Sequence, residues 1–400
     1  MLPKDWQRST IGDCTKLLSG NTPSKENPNY WSGDFPWVTV KDMKTPWLHK
    51  TGLTLTLSGK AAASIAPANS VLVVTRGMAL LKDLPISLAM RDVAFNQDIK
   101  AIVPKDCLDA RFFAYQLQSK KHVVLGMVDT AGHGTGKLDT DLLKSVDVVL
   151  PPLPEQRRIA KILSTWDQAI ATTEQLLSNS EQQKLGLMQG LLLGKIRVKG
   201  DTEGWKQHAL GEIFSERVES SRDGLPLLSI TRDQGVIPRE DVGRKDTSNE
   251  DKSKYLRICA GDIGYNTMRM WQGVSAVSRH EGIISPAYTV ITPSALIDGT
   301  FASYLFKSQS LIFLFYRHSQ GLVSDTWNLK FSHFAKIKIR IPGVQEQRSI
   351  AAVLEKADQQ IAVIRDQLAV LRQEKVALMS QLLTGKRRVK LPEAEAEAQA

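Results

Sequence analysis

The sequence predicts an α+β protein made by internal duplication: two mixed α/β domains, each followed by a long helix that pairs with the other copy of itself. Three observations predict it. First, Glu155–Lys199 recurs as Glu346–Lys390 at a constant offset of 191, with 22 of 45 positions identical and no gap. Second, apolar residues in both copies recur near every 3.5 positions, as in Ile350, Leu354, Ala357, Ile361, Ile364, Leu368 and Leu371. Third, the stretches before each copy carry short β-rich runs broken by Gly, Pro and Asn, with no sustained βαβ alternation.

The long helices are the length-constrained part of each repeat. Pro154 and Glu155 suit a first helical turn, where Pro loses no hydrogen bond and Glu meets the positive dipole end. Gly194 and Gly385 sit where a glycine ends a helix, and basic residues follow both. Each helix reaches about 60 Å at 1.5 Å per residue, so its apolar stripe overhangs a single domain and needs the other copy. Lys184 and Lys375 share one seam-like position, which fits either a snorkelling chain or a register-setting polar residue.

Upstream the repeat is fainter and its offset drifts. Trp6, Ile11, Gly12 and Asp13 match Trp205, Leu210, Gly211 and Glu212 at 199, whereas Asp109, Phe112, Tyr115 and Ser119 match Asp298, Phe301, Tyr304 and Ser308 at 189. Loops absorb insertions and packed helices do not. The expected organisation is therefore a first domain over 1–153, a helix over 154–200, a second domain over 201–344, a second helix over 345–391 and a disordered tail over 392–400. Strands are expected at Trp37–Val40, Val71–Thr75, Ile99–Val103 and Val146–Leu150, with a helix at Ala110–Ser119. The second copy has Pro226–Ile230, Thr289–Ile291, Lys336–Ile341 and a helix at Phe301–Ser308.

Composition excludes several classes. The 400 residues are 42% hydrophobic and 24% charged, enough for folded cores. Lys and Arg outnumber Asp and Glu by 52 to 42, and the excess of +10 is spread along the chain, which suits a polyanion met over an extended surface. Three distant cysteines make neither a disulfide framework nor a cysteine zinc site. No apolar run approaches a membrane span, so a cytoplasmic chain with no membrane partner is expected.

Polar chemistry is concentrated in loops after strands. Thr75, Arg76 and Gly77 follow one apolar run, and Asn266, Thr267 and Arg269 follow another. Arg and Asn there suit bidentate contacts to base edges and phosphates. His133, Gly134, Thr135 and Lys137 lie in a glycine-rich loop whose amides can approach a phosphate backbone. Gln320, Ser324 and Asn328 are its counterpart. Taken singly, each of these also fits a solvated turn. No catalytic set is found. Asn27-Pro28-Asn29-Tyr30 lacks a glycine-rich cofactor strand, Ala131–Leu138 lacks the first glycine and the terminal hydroxyl of a P-loop, and the seven histidines have no metal spacing.

Several motifs resemble those of the specificity (S) subunits of type I restriction-modification enzymes. The Pro-Leu-Pro-Glu-Gln-Arg-Arg-Ile-Ala opening at 152–160 and the Gly-Lys closings at 194–195 and 385–386 resemble the conserved helices of that family. Asn266–Gly273 and Ser285–Val290 resemble recurrent segments of its target-recognition domains, and Asn96–Ile99 an alternative form of the latter. The resemblance extends to about residue 391. It implies two target-recognition domains separated by an antiparallel pair of coiled-coil helices, each domain reading one half of a split double-stranded DNA target. It further implies that the helices set the spacing and recruit two methyltransferase (M) subunits and restriction (R) subunits. Catalysis would then belong to other chains, with S-adenosylmethionine, ATP and magnesium held there and no cofactor or metal here. Glu155, Gln156 and Arg157, matched by Glu346, Gln347 and Arg348, are the expected subunit-binding patches. The competing reading is a coiled-coil scaffold or adaptor without sequence-specific DNA binding.

Overall fold

A computed structural model of the chain describes residues 2–130, 134–198, 204–220, 224–231, 235–243, 251–321 and 327–390. It divides into two compact units, Met1–Thr173 with Gln367–Ala400, and Glu174–Asp366. Each unit thus contains a mixed α/β region, the adjoining half of one long helix and part of the other. The tail expected at 392–400 lies outside the described residues.

In the first unit the main sheet has five strands in the order Thr15–Ser19, Ile99–Pro104, Val71–Val74, Ile86–Ala89 and Trp47–Leu48. All neighbours are antiparallel except the last pair. Val71–Val74 is central and every residue of it is buried, which explains its unbroken apolar run. A smaller sheet orders Leu53–Leu55, Trp31–Val38, Val93–Phe95 and Ile65–Ala66. The helix Ala110–Ser119 starts at Asp109, whose carboxylate accepts the Phe112 amide at 2.9 Å, and turns Phe112, Phe113, Tyr115 and Leu117 into the core.

The second unit repeats this frame. Phe214–Glu216, Tyr288–Pro293, Ile263–Asn266 and Ser275–Val277 form an antiparallel sheet in the same order as the first four strands above. Asp298 caps Gly299–Leu305 as Asp109 caps its counterpart, at 2.9 Å to the Phe301 amide. The units differ next. Ser308 caps a further helix, Gln309–His318, where the first unit has only Lys121–Leu125. Leu311 and Phe315, four apart on one face, are buried and hold that extra helix to the core.

The long helices span Leu153–Leu191 and Val344–Leu382, 39 residues each. In the first unit Ile159 and Leu163, near the start of one, share a core with Leu382 and Leu383 from the end of the other. In the second unit Leu191 and Leu192 share a core with Ile350 and Leu354. Within each unit the segments therefore run antiparallel. Both helices stop at a left-handed glycine, Gly194 at φ +66° and Gly385 at φ +72°. A Cβ on Gly385 would lie 2.6 Å from the Pro3 ring, and one on Gly194 3.2 Å from the Trp205 ring, so these glycines also admit a close chain contact.

A buried glutamine fastens each α/β region to its helix. The Gln156 side chain accepts the Asp109 amide at 2.8 Å and donates to the carbonyls of Cys107 at 2.9 Å and Pro151 at 2.8 Å. Gln347 does the same with the Asp298 amide at 2.8 Å and the carbonyls of Leu296 at 3.0 Å and Pro342 at 2.9 Å. Gln156→Leu or Gln347→Leu is expected to cost about 3 kcal/mol, because buried amide and carbonyl groups lose their partners. At about 2–4 °C per kcal/mol for a unit of this size, the melting transition should fall by roughly 6–12 °C in calorimetry. A shift below about 2 °C would show that water replaces these bonds without loss.

Candidate nucleic-acid interface

In the first unit the structure brings together two loops that are distant in sequence. Arg76–Gly77 forms the edge of a three-stranded antiparallel ribbon with Gly136–Leu138 and Val128–Thr130. Arg76 lies directly opposite Lys137, and both are exposed. Like charges facing each other across a ribbon repel, so the pair suits a surface completed by an anion. Asp129 is opposite Lys137 on the other side. Gly77 at φ +128° and Gly134 at φ +75° have open space where a Cβ would point, leaving their backbones open to close approach. Thr75 is buried and its hydroxyl donates to the Asp98 carbonyl at 3.3 Å, so it shapes the loop from inside. Thr135 is half-buried beside Gly134. His133 lies outside the described residues.

In the second unit the loop after Ile263–Asn266 is built by its own side chains. The Asn266 side chain accepts the Met268 amide at 3.0 Å, and the Thr267 hydroxyl donates to the Ala287 carbonyl at 2.8 Å. Arg269 is left exposed at the tip beside exposed Met268. Gln320 and Asn328 exchange both backbone hydrogen bonds at 2.8 Å, and the Leu329 amide donates to the Thr267 carbonyl at 2.8 Å, so the counterpart loop is tied to this one. An aromatic trio lies here: Trp327 meets Trp271 at 5.3 Å and Tyr316 at 4.9 Å between ring centroids. Sequence reasoning passed over these rings, although a partly exposed tryptophan beside a loop arginine is itself a recognition signal. Ser324 lies outside the described residues.

The helix starts differ from expectation. Glu155 and Gln156, and likewise Glu346 and Gln347, are fully buried rather than surface patches. Glu155 accepts from Arg388 at 2.6 and 2.7 Å and from the Trp6 indole at 3.0 Å, and Arg388 also holds Asp5 at 2.7 and 2.9 Å. The Arg388 hydrogen bond holds the Asp5 carboxyl below the usual range. Glu346 accepts from Arg197 at 2.5 and 2.8 Å. A carboxylate removed from water needs such a partner, and the partner arrives from the far end of the other helix. Of each expected triplet, only Arg157 and Arg348 remain at the surface.

About three turns further in, each unit contains the same three-way junction. Asp167, on the first long helix, accepts from the Tyr115 hydroxyl at 2.6 Å and from Lys375 of the second helix. Asp358, on the second helix, accepts from the Tyr304 hydroxyl at 2.7 Å and from Lys184 of the first. Each lysine also lies over its tyrosine ring, at 5.3 Å from Tyr115 and 5.4 Å from Tyr304. The two seam lysines therefore pair rather than snorkel to water. No group of three or more His, Cys, Asp or Glu able to hold a metal occurs among the described residues, and no helix there is long and apolar enough to cross a membrane.

Comparison with known proteins agrees with the duplicated frame. The family model described as type I restriction modification DNA specificity domain matches residues 3–182 and 202–373. The chain is 29% identical over 166 residues to the type I restriction enzyme EcoR124I/EcoR124II specificity subunit of Escherichia coli, covering 41% of each chain. It is 24% identical over 420 aligned positions to the MjaVIII specificity subunit of Methanocaldococcus jannaschii, covering 97% of this chain and 94% of that one. The first alignment spans less than half of either protein and the second nearly all of both. Among solved structures, the type I S subunit of M. genitalium superposes with TM-score 0.60 at 16% identity, over 96% of both chains. The HsdS subunit of Thermoanaerobacter tengcongensis gives 0.51 at 16%, over 96% of this chain and 98% of that one.

The junction tyrosines carry a titration signature. Burial first, and then the hydrogen bond to the aspartate, raise the Tyr115 and Tyr304 hydroxyls far above the ordinary phenol range. Because the folded value lies above the unfolded value near 10, the stability they contribute is complete below about pH 10 and is lost as pH rises beyond it. Burial raises the Tyr265 hydroxyl likewise, so absorbance titration at 295 nm should leave these three of the seven tyrosines silent until the protein unfolds. Tyr115→Phe should leave the native amplitude near pH 10 unchanged, and a loss of one tyrosine's amplitude would contradict the geometry.

Proposed function

We propose, because this chain belongs to the type I restriction modification DNA specificity domain family, that it is the sequence-reading subunit of a type I restriction-modification enzyme. Each unit reads one half of a split double-stranded DNA target. The observation that carries this is a shared frame with unlike exposed loops: Arg76 and Lys137 on a ribbon in one unit, Arg269 beside an aromatic trio in the other. Both sets suit base edges and phosphates, and because their residues and local geometry are unlike, the two halves of the target differ. Thr75, Asn266 and Thr267 act by shaping these loops. A scaffold without a DNA role would leave both DNA specificity domain matches without a purpose.

The long helices set the distance between the half-sites and recruit two methyltransferase subunits, to which restriction subunits add. Leu185 and Val376 support this: they occupy the same repeat position, at 52% and 68% exposure, and Arg157 and Arg348 are equivalent exposed cations. Equivalent surfaces call for equivalent partners. Methyl transfer, with S-adenosylmethionine, and ATP hydrolysis, with magnesium, belong to those partners, so this chain contributes recognition and not chemistry.

Gel-shift assays with and without methyltransferase subunits test the reading. Arg269→Ala is expected to weaken binding by about 1–3 kcal/mol, with the loss confined to the half-site read by the second unit. An equal loss on unrelated sequences would make Arg269 a phosphate contact. Inserting seven residues at matching depth in both helices adds about 10 Å while keeping the stripe in phase. The preferred spacer should lengthen by about three base pairs, at 3.4 Å each, with the half-site bases unchanged. An unaltered spacer would refute the ruler. Native mass spectrometry should find two methyltransferase copies per chain, and a strict one-to-one complex would contradict the paired surfaces.

A further inference from the structure

We propose that the two tyrosine–aspartate–lysine junctions are the positioning residues that select the DNA spacer, by locking the helix pair in one register and fixing each recognition domain to it. This rests on the reading that the helices set spacing, and it names the side chains that enforce it.

Each junction joins three elements. Tyr115 comes from the helix Ala110–Ser119 of the recognition domain, Asp167 from the first long helix and Lys375 from the second. Tyr304, Asp358 and Lys184 repeat the arrangement with the helices exchanged. Both oxygens of each aspartate are engaged, one by a phenol and one by an ammonium. The first junction is the more enclosed, with Asp167 and Lys375 side chains 15% and 14% exposed, so solvent screens that pair little.

The apolar seam alone does not choose a register. Leucines and isoleucines that repeat near 3.5 residues look alike after a slip of one heptad, and a charged seam position removes that ambiguity. Aspartate and lysine are 17 residues apart on each helix, Asp167 to Lys184 and Asp358 to Lys375, so one register satisfies both pairs. A one-heptad slip breaks both at once and leaves four charges without partners in the seam. It would also shift one helix by about 10 Å against the other, the length of about three base pairs. The hydroxyl bonds carry the same constraint outward to the recognition domains. Glu181 with Arg365, at 2.6 Å, is a more exposed cross-helix pair and lacks the tyrosine, so it cannot transmit position in this way.

The test uses the full chain assembled with its methyltransferase subunits and a set of duplexes with the cognate half-sites and spacers changed by one, two or three base pairs. The readout is the ratio of methylation rates on the native and altered spacers, not activity alone. The unmodified protein is expected to prefer the native spacer by at least about a hundredfold. Lys184→Met with Lys375→Met should reduce that preference to under about tenfold, while half-site bases remain discriminated. Lys184→Arg with Lys375→Arg should retain it. Tyr115→Phe and Tyr304→Phe, which keep the packing and the ion pairs, should relax the preference several-fold each. Unchanged spacer preference in the double methionine variant, or in the phenylalanine variants should the former not fold, overturns the junction proposal. Loss of spacer preference in the unmodified protein would instead refute the ruler on which it rests.

Discussion

Two aspartates carry the arrangement of this chain. Asp167 and Asp358 each take a tyrosine from an α/β region and a lysine from the opposite helix, so that domain, helix and helix meet at one carboxylate. Asp167 is the more enclosed, its side chain 15% exposed against 44% for Asp358, and withdrawing a carboxylate from water costs several kcal/mol that is offset only when its oxygens find good donors. A junction with one donor missing is worse than an apolar one. The helix seam is therefore tolerant of sequence along its leucines and intolerant at its charged levels, these two and the Glu155–Arg388 and Glu346–Arg197 pairs at its ends, and this is how a repeating stripe comes to have a single alignment.

The duplication is faithful where elements cross and loose where they end. Gln156 and Gln347 make the same three bonds, and Asp109 and Asp298 the same cap. At the helix starts the copies diverge. Arg388 bridges Glu155 and Asp5, whereas Gly204 stands at the position equivalent to Asp5, and Trp205 finds no partner for its indole nitrogen among the described residues. The loops diverge most, with a two-residue strand and ribbon in one unit and a capped extra helix with an aromatic trio in the other. Such divergence costs little, because the frame is held by the core and the junctions. The surface that meets DNA is then free to change without disturbing the spacing that the helices impose.

Much of this was legible in the sequence, and the misses share one cause. The long helices follow from apolar spacing and the gap-free repeat, and their ends from Gly194 and Gly385. The helix at Ala110–Ser119 follows from its cap and apolar face. Lys184 and Lys375 stood out as equivalent, yet their partners did not, because Asp167 lies 208 residues from Lys375 and no local pattern links them. Glu155 and Gln156 read as surface because polar residues in a first turn usually are. Glu155 is buried because Arg388 arrives from 233 residues away, and Gln156 because it takes up the Asp109 amide and the carbonyls of Cys107 and Pro151. The Arg76 and Lys137 loops appeared as separate candidates, since strands of two and three residues leave no periodicity from which to infer their pairing. Local chemistry was readable, and long-range partnership required the fold.

Whether one helix register holds two unlike reading units at a set distance is read out in the methylated genome of a strain carrying this gene, compared with the same strain lacking it. One gene-dependent motif is expected, made of two different half-sites separated by a fixed number of unspecified bases. A contiguous motif, two identical half-sites, or methylation indifferent to the length of the gap would contradict it.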